Sequence, residues 1–157
     1  MTDAVDSTSR PERHQVAALC WRPGQGGEVE ILLVTSRDTG RWVTPKGGRM
    51  PGLTDAQAAA QEALEEAGVE GEVQEAPIGA FRYLKRLKRR APRPTQVSVF
   101  ALRVDRELSD WKEAAQRTRR WFSIIEAAAA VDETELGAVI LEFASGTATL
   151  GDEPDRG

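Results

Sequence analysis

Residues 47–69 read GGRMPGLTDAQAAAQEALEEAGV. Thr54 stands as a helix N-cap with Gln57 three residues on, the reciprocal pattern of a capping box. Gly68 falls where a left-handed C-terminal cap belongs. The spacing predicts a helix from about Asp55 to Ala67. At 100° per residue, Glu62, Glu65 and Glu66 fall within an arc of about 100°, with Asp55 on the same side two turns earlier. Ala56, Ala60, Ala63, Leu64 and Ala67 cluster opposite. Such a helix buries its alanine face against a sheet and presents carboxylates on the other.

Three close carboxylates repel one another and weaken a helix modestly. They also sit toward its C-terminus, where the macrodipole disfavours negative charge. No lysine or arginine lies within the helix to relieve them. A hard divalent cation would, because magnesium is satisfied by a few oxygen ligands plus phosphate oxygens. The competing reading is a solvated acidic face on an Ala/Glu-rich helix. The helix alone leaves both open.

Upstream, Gln15 to Trp21 is apolar and reads as a buried strand. Arg22 to Gly27 is turn chemistry and Val29 to Thr35 a second strand, which together make a hairpin. Trp42, Val43 and Thr44 lead into Pro45-Lys46-Gly47-Gly48, a loop whose glycines let backbone approach a ligand closely. Downstream, Ile78 to Tyr83 and Gln96 to Val104 read as strands joined by a basic segment. Trp121-Phe122 reads as a short strand, and Ser123 to Val131 and Glu133 to Phe143 as two short helices. Residues 1–13 are expected as a flexible arm, 14–144 as one domain and 145–157 as a frayed tail. Strands interspersed with helices point to one α/β sandwich.

A chain of 157 residues is long enough to bury a core of its own. Charged residues make up 29% and hydrophobic ones 40%, which fits neither a membrane protein nor a disordered chain. The single cysteine, Cys20, excludes an internal disulfide, and with one histidine it argues against a zinc site. A cytoplasmic location without membrane association is the expectation. Net charge is −4, so a general nucleic-acid binder is not expected. Yet Arg82, Lys85, Arg86, Lys88, Arg89, Arg90 and Arg93 follow one another with no intervening acid. A concentrated basic stretch in an acidic protein implies a local anionic partner, against the bland reading of a mobile solvated linker.

Residues 47–69 resemble the Nudix box, whose family pattern is G-x5-E-x7-R-E-U-x-E-E-x-G-U, with U a bulky aliphatic. Gly47, Glu62, Glu65, Glu66, Gly68 and Val69 match at the expected spacing. Leu53, Gln61 and Ala63 depart from it, at the first glutamate, the arginine and the bulky aliphatic position. In the family that arginine pairs with a box glutamate and orients it. Gln61 donates hydrogen bonds but carries no charge.

The resemblance implies a Nudix-type α/β/α sandwich with a central mixed sheet. It also implies metal-dependent cleavage of a phosphoanhydride bond. Gly47, through its carbonyl, and Glu62, Glu65 and Glu66 would hold Mg2+, or Mn2+ in its place. Glu62 or Glu66 would assist deprotonation of the attacking water.

Looser likeness runs from about Arg13 to Phe143, carried by QVAALCW, LLVTSRDTGRWVTPKGG and DWKEAAQRTRRWF. It is closest to the diphosphoinositol polyphosphate phosphohydrolase branch, associated with diphosphoinositol and diadenosine polyphosphates. By that resemblance Arg13, Ser36, Arg41, Lys46, Gly47, Gly48, Arg117 and Arg119 are expected on the phosphates, and Arg82 is added on charge. Glu126, Glu133 and Glu135 are further acids, and nothing in the sequence chooses among them. The partner expected is a small anionic polyphosphate, bound by a monomer or a homodimer. A catalytically weakened Nudix-fold binding module and a basic RNA or phospholipid adaptor are the alternatives.

Overall fold

The computed structural model describes residues 13–87 and 89–156. The apolar run near the N-terminus becomes strand β1 (Arg13–Pro23), which turns back into β2 (Val29–Thr35) with Cys20 opposite Leu32. β1 pairs on its other side, in parallel, with β7 (Arg90–Glu107), Val16 opposite Ser98. Buried on both faces, β1 has no polar alternation. Val16, Ala18 and Cys20 face one core, and Ala17 and Leu19 the other. That is the reason such a strand reads as a continuous apolar run. Cys20 is fully buried and its thiol is pushed up to about 12, chiefly by burial, which leaves it a core residue rather than a nucleophile.

β3 (Trp42–Val43) and β8 (Arg119–Ser123) both pair with β2, and β5 (Val69–Val73) and β6 (Gly79–Leu87) with β7. Apart from the parallel β1–β7 pair, these neighbours run antiparallel, so the sheet is mixed. Helix α1 (Asp55–Ala67) covers one face through Ala56, Ala59, Ala63 and Ala67, packed on Val16, Leu32 and Phe100. Helices α2 (Ile124–Ala130) and α3 (Thr134–Arg156) cover the other through Ala127, Leu136, Val139 and Ile140. The result is an α/β/α sandwich.

The caps of α1 form as the sequence predicts. Thr54 Oγ1 accepts from the Gln57 amide, the Gln57 side chain accepts from the Thr54 amide, and Gly68 takes a left-handed φ of 67°. Four local expectations change. Lys46-Gly47-Gly48 is not a free loop but a short strand, β4 (Lys46–Gly48), paired with Gln15–Ala17 of β1. The basic segment is not a long linker. β6 and β7 continue through it as a hairpin, with Lys85 opposite Arg93 and Leu87 opposite Arg90. α3 runs on to Arg156 and takes in 145–156, read from sequence as a tail. Arg13 begins β1, and residues 1–12 of the expected arm lie outside the described residues.

Candidate active site

β4 lies under α1, and this contact arranges the glutamates. A Cβ on Gly47 would stand 2.1 Å from Glu62 Oε2 and 2.4 Å from its Cδ. Glycine is therefore needed at 47 for room, while at Gly48 a Cβ would meet nothing within 4 Å. The Lys46 amide donates to Glu66 Oε1 at 3.2 Å. Glu62 and Glu66 hydrogen-bond to each other. Glu65 is diverted from this pair. It accepts from Gln61 Nε2 at 2.9 Å and faces Lys112 Nζ at 3.6 Å.

The trio expected from the sequence is thus a buried pair plus an outlier. Among the described residues no three His, Cys, Asp or Glu side chains converge as a ready set of metal ligands. The physical reason is the company each keeps. Gln61, one turn before Glu65, holds it along the helix, while β4 collects Glu62 and Glu66. Glu66 itself is 8% exposed, so this carboxylate does not lie on a solvated face.

Burial pushes the Glu62 carboxyl up to about 8, helped by its hydrogen bond to Glu66 and by neighbouring negative charge. Burial raises Glu66 as well, but the Arg117 guanidinium, the Glu62 hydrogen bond and the Lys46 amide oppose it. Burial thus favours one proton held between the two carboxyls. Glu62, Glu66 and Glu113, set against Arg117 and Lys46, leave one negative charge in excess when all are ionised. Paired oxygen donors with that excess fit a hard divalent cation.

A stability prediction follows for the metal-free protein. The unfolded Glu62 gives up its proton near 4.5, while the folded one keeps it to about 8. The folded state binds more protons across that window, so stability falls as pH rises through it and levels off above. Thermal melts in EDTA should show the decline, and added Mg2+ should raise the alkaline end most.

A cleft of about 810 Å3 opens beside the pair, lined by Glu66, Lys46, Arg117, Ser36, Arg41 and Lys85 among others. Of the expected phosphate contacts, Ser36, Arg41, Lys46 and Arg117 line it. Arg41 is ion-paired with Asp132, and the Ser36 hydroxyl accepts from the amides of Asp38 and Thr39, shaping the turn. Arg13, Gly47, Gly48, Arg82 and Arg119 are not among its lining residues. Arg37, Gln15 and Tyr83 line it without having been singled out for it. Burial pushes the Lys46 ammonium down, with Glu133 and Glu66 resisting. Of the three further acids, Glu133 lines the cleft, Glu126 caps its own helix, and Glu135 accepts from the Arg82 amide.

Arg119 has another task. α1 carries no basic residue in its last turn, yet its final carbonyls all find donors. The Glu113 amide bonds Glu65 O, Trp111 Nε1 bonds Glu66 O, and Arg119 Nη1 bonds Ala67 O and Gly68 O. The Arg119 guanidinium also stacks on Trp111, 4.1 Å from the ring centre. Arg119 is an external cap on α1 rather than a phosphate ligand. Arg119→Met should cost about 1.5–3 kcal/mol of stability, the range for hydrogen bonds to a charged group, measurable by urea unfolding.

A mixed sheet between helical layers, with paired carboxylates beside a cleft lined by both bases and acids, defines an α/β sandwich protein with a polar cleft. A family model described as the NUDIX domain matches residues 13–143. This chain belongs to the Nudix family. It is similar to Nudix hydrolase 12, mitochondrial, of Arabidopsis thaliana, 37% identical over 64% of this chain and 51% of the relative. It is likewise similar to diphosphoinositol polyphosphate phosphohydrolase 3-alpha of Mus musculus, 34% identical over 73% of this chain and 66% of that one. The match thus spans about half to two thirds of these relatives' length. The fold also matches a C. elegans Ap4A hydrolase binary complex, TM-score 0.65 at 22% identity, covering 87% of this chain and 98% of that one.

Proposed function

We propose that this chain hydrolyses a phosphoanhydride bond of a small polyphosphate, a diphosphoinositol or diadenosine polyphosphate, with Mg2+ or Mn2+ as cofactor. The carrying observation is the Glu62–Glu66 pair, Glu66 buried and Glu62 half-buried, beside a cleft lined by Arg41, Lys46, Lys85 and Arg117. Mouse and C. elegans relatives named for those two substrate types support the choice. When bound, the cation would offset charge on the phosphates and lower the pKa of water. Glu62 and Glu66, with Glu65 swung back from Gln61, and the Gly47 carbonyl would hold it.

The protein's own groups account for the rest. Lys46, Arg41 and Lys85 would orient the phosphates. With both carboxyls ionised beside the cation, Glu66 or Glu62 would take the proton of the attacking water.

Turnover of diadenosine tetraphosphate and of a diphosphoinositol polyphosphate, with Mg2+ and with EDTA, tests this. Release of product that needs metal supports it. Tight binding without turnover would sink it in favour of a binding module, the reading motivated by Gln61 and Leu53. An RNA adaptor has less support, because Tyr83 is the aromatic lining the cleft and its ring already faces the Lys46 ammonium. No described helix is long and apolar enough to cross a membrane. A cytoplasmic location and a monomer or homodimer complete the proposal. Plant relatives named mitochondrial and chloroplastic mark the competing compartments.

A further inference from the structure

Arg117 makes two hydrogen bonds and one longer ion-pair contact within the protein. Nε donates to Glu113 Oε1 at 2.6 Å, Nη1 donates to the Thr35 carbonyl at 3.0 Å, and Nη2 stands 3.7 Å from Glu66 Oε2. Its side chain is 9% exposed. The backbone beneath it is pinned as well. Thr118 N–H donates to Thr35 Oγ1, and Thr35 N–H donates to the Thr118 carbonyl. A planar guanidinium hydrogen-bonded through both Nε and Nη1 keeps one orientation. The Lys46 amide already takes the first oxygen of Glu66, so Arg117 faces the second. Gln61, at the place of the family's box arginine, turns to Glu65 instead.

We propose that Arg117, anchored by Glu113 and the Thr35 carbonyl, is the positioning residue for Glu66. It supplies from outside the helix the fixed counter-charge that Gln61 does not. This rests on the reading of Glu66 as part of a hydrolytic site, and it departs from the expectation that Arg117 grips substrate phosphate.

Two measurements decide it. The first is Mg2+-dependent turnover of diadenosine tetraphosphate by Arg117→Gln. A misaligned catalytic group lowers kcat by about 30- to 100-fold with KM within about twofold, and Arg117→Lys should recover part of the loss. The second is a double-mutant cycle on the melting temperature in EDTA, with Arg117→Gln, Glu66→Gln and their combination. If the two side chains are coupled, the Arg117→Gln loss shrinks by at least about half in the Glu66→Gln background. A tenfold rise in KM at unchanged kcat would overturn the proposal in favour of a phosphate contact. Additive melting losses would overturn it too. If the wild-type chain turns over neither polyphosphate, the hydrolase reading fails, and the melting cycle still judges the Arg117–Glu66 link.

Discussion

Glu62→Gln is expected to cut turnover about 10^3-fold, the scale of a lost acid–base group, while making the metal-free protein more stable. The two effects share one cause. Glu62 is held half-buried against Glu66, so the fold must keep a proton on it up to about pH 8. The unfolded chain surrenders that proton from about 4.5 upward, so wild-type protein loses stability as pH climbs. Glutamine has the shape of a protonated glutamate and donates to Glu66 without needing a proton. The variant's advantage in melting temperature should therefore be near zero at the acidic end, grow with pH and level off near 8. Mg2+ should raise the melting temperature of the wild type by mass action and that of the variant less. Thermal melts with EDTA and with Mg2+ read both effects. A variant less stable than wild type at pH 8 in EDTA would contradict the buried-pair account. Sites that store like charge for function commonly gain stability when the charge is removed.

Gly47→Ala should lower turnover about 100-fold, the scale of a small misplacement of a reacting group, with little change in melting temperature. The backbone at 47 is not in the left-handed region, so alanine brings no conformational strain there. The added methyl would instead strike the Glu62 carboxylate, whose Oε2 lies 2.1 Å from the Cβ position. That carboxylate is the far end of a flexible side chain, so it can swing away cheaply. What is lost is the pairing with Glu66. Gly48→Ala, with open space at its Cβ, should cost an order of magnitude less. Assays of both variants beside their melting curves make the comparison, and equal losses would refute it.

Some elements were plain from residues close in sequence. The β1–β2 hairpin and α1 with its capping box depend on continuous apolar runs, turn chemistry and i, i+3 contacts. β5 was missed because Val69–Val73 carries two glutamates and a glycine among few apolar residues. It forms because Glu70 and Glu72 come opposite Arg106 and Arg103 of β7, and because Gly71 leaves room for the Arg103 carbonyl. The hairpin through the basic segment was misread for a similar reason. Charge density signalled solvent, whereas pairing with β7 kept the backbone in register.

The glutamate spacing by itself determined that Glu62 and Glu66 share a helical face, because positions four apart always do. The resemblance of residues 47–69 to the Nudix box pointed to the family that the domain model matches. Only the tertiary structure decided that Glu65 would turn to Gln61 and Lys112, that Arg119 would cap the helix, and that Arg117 would meet Glu66. Those choices are made by partners up to 52 residues away along the chain. The sheet brings such partners within hydrogen-bond reach, and no local pattern encodes which of several nearby cations each carboxylate or carbonyl will take.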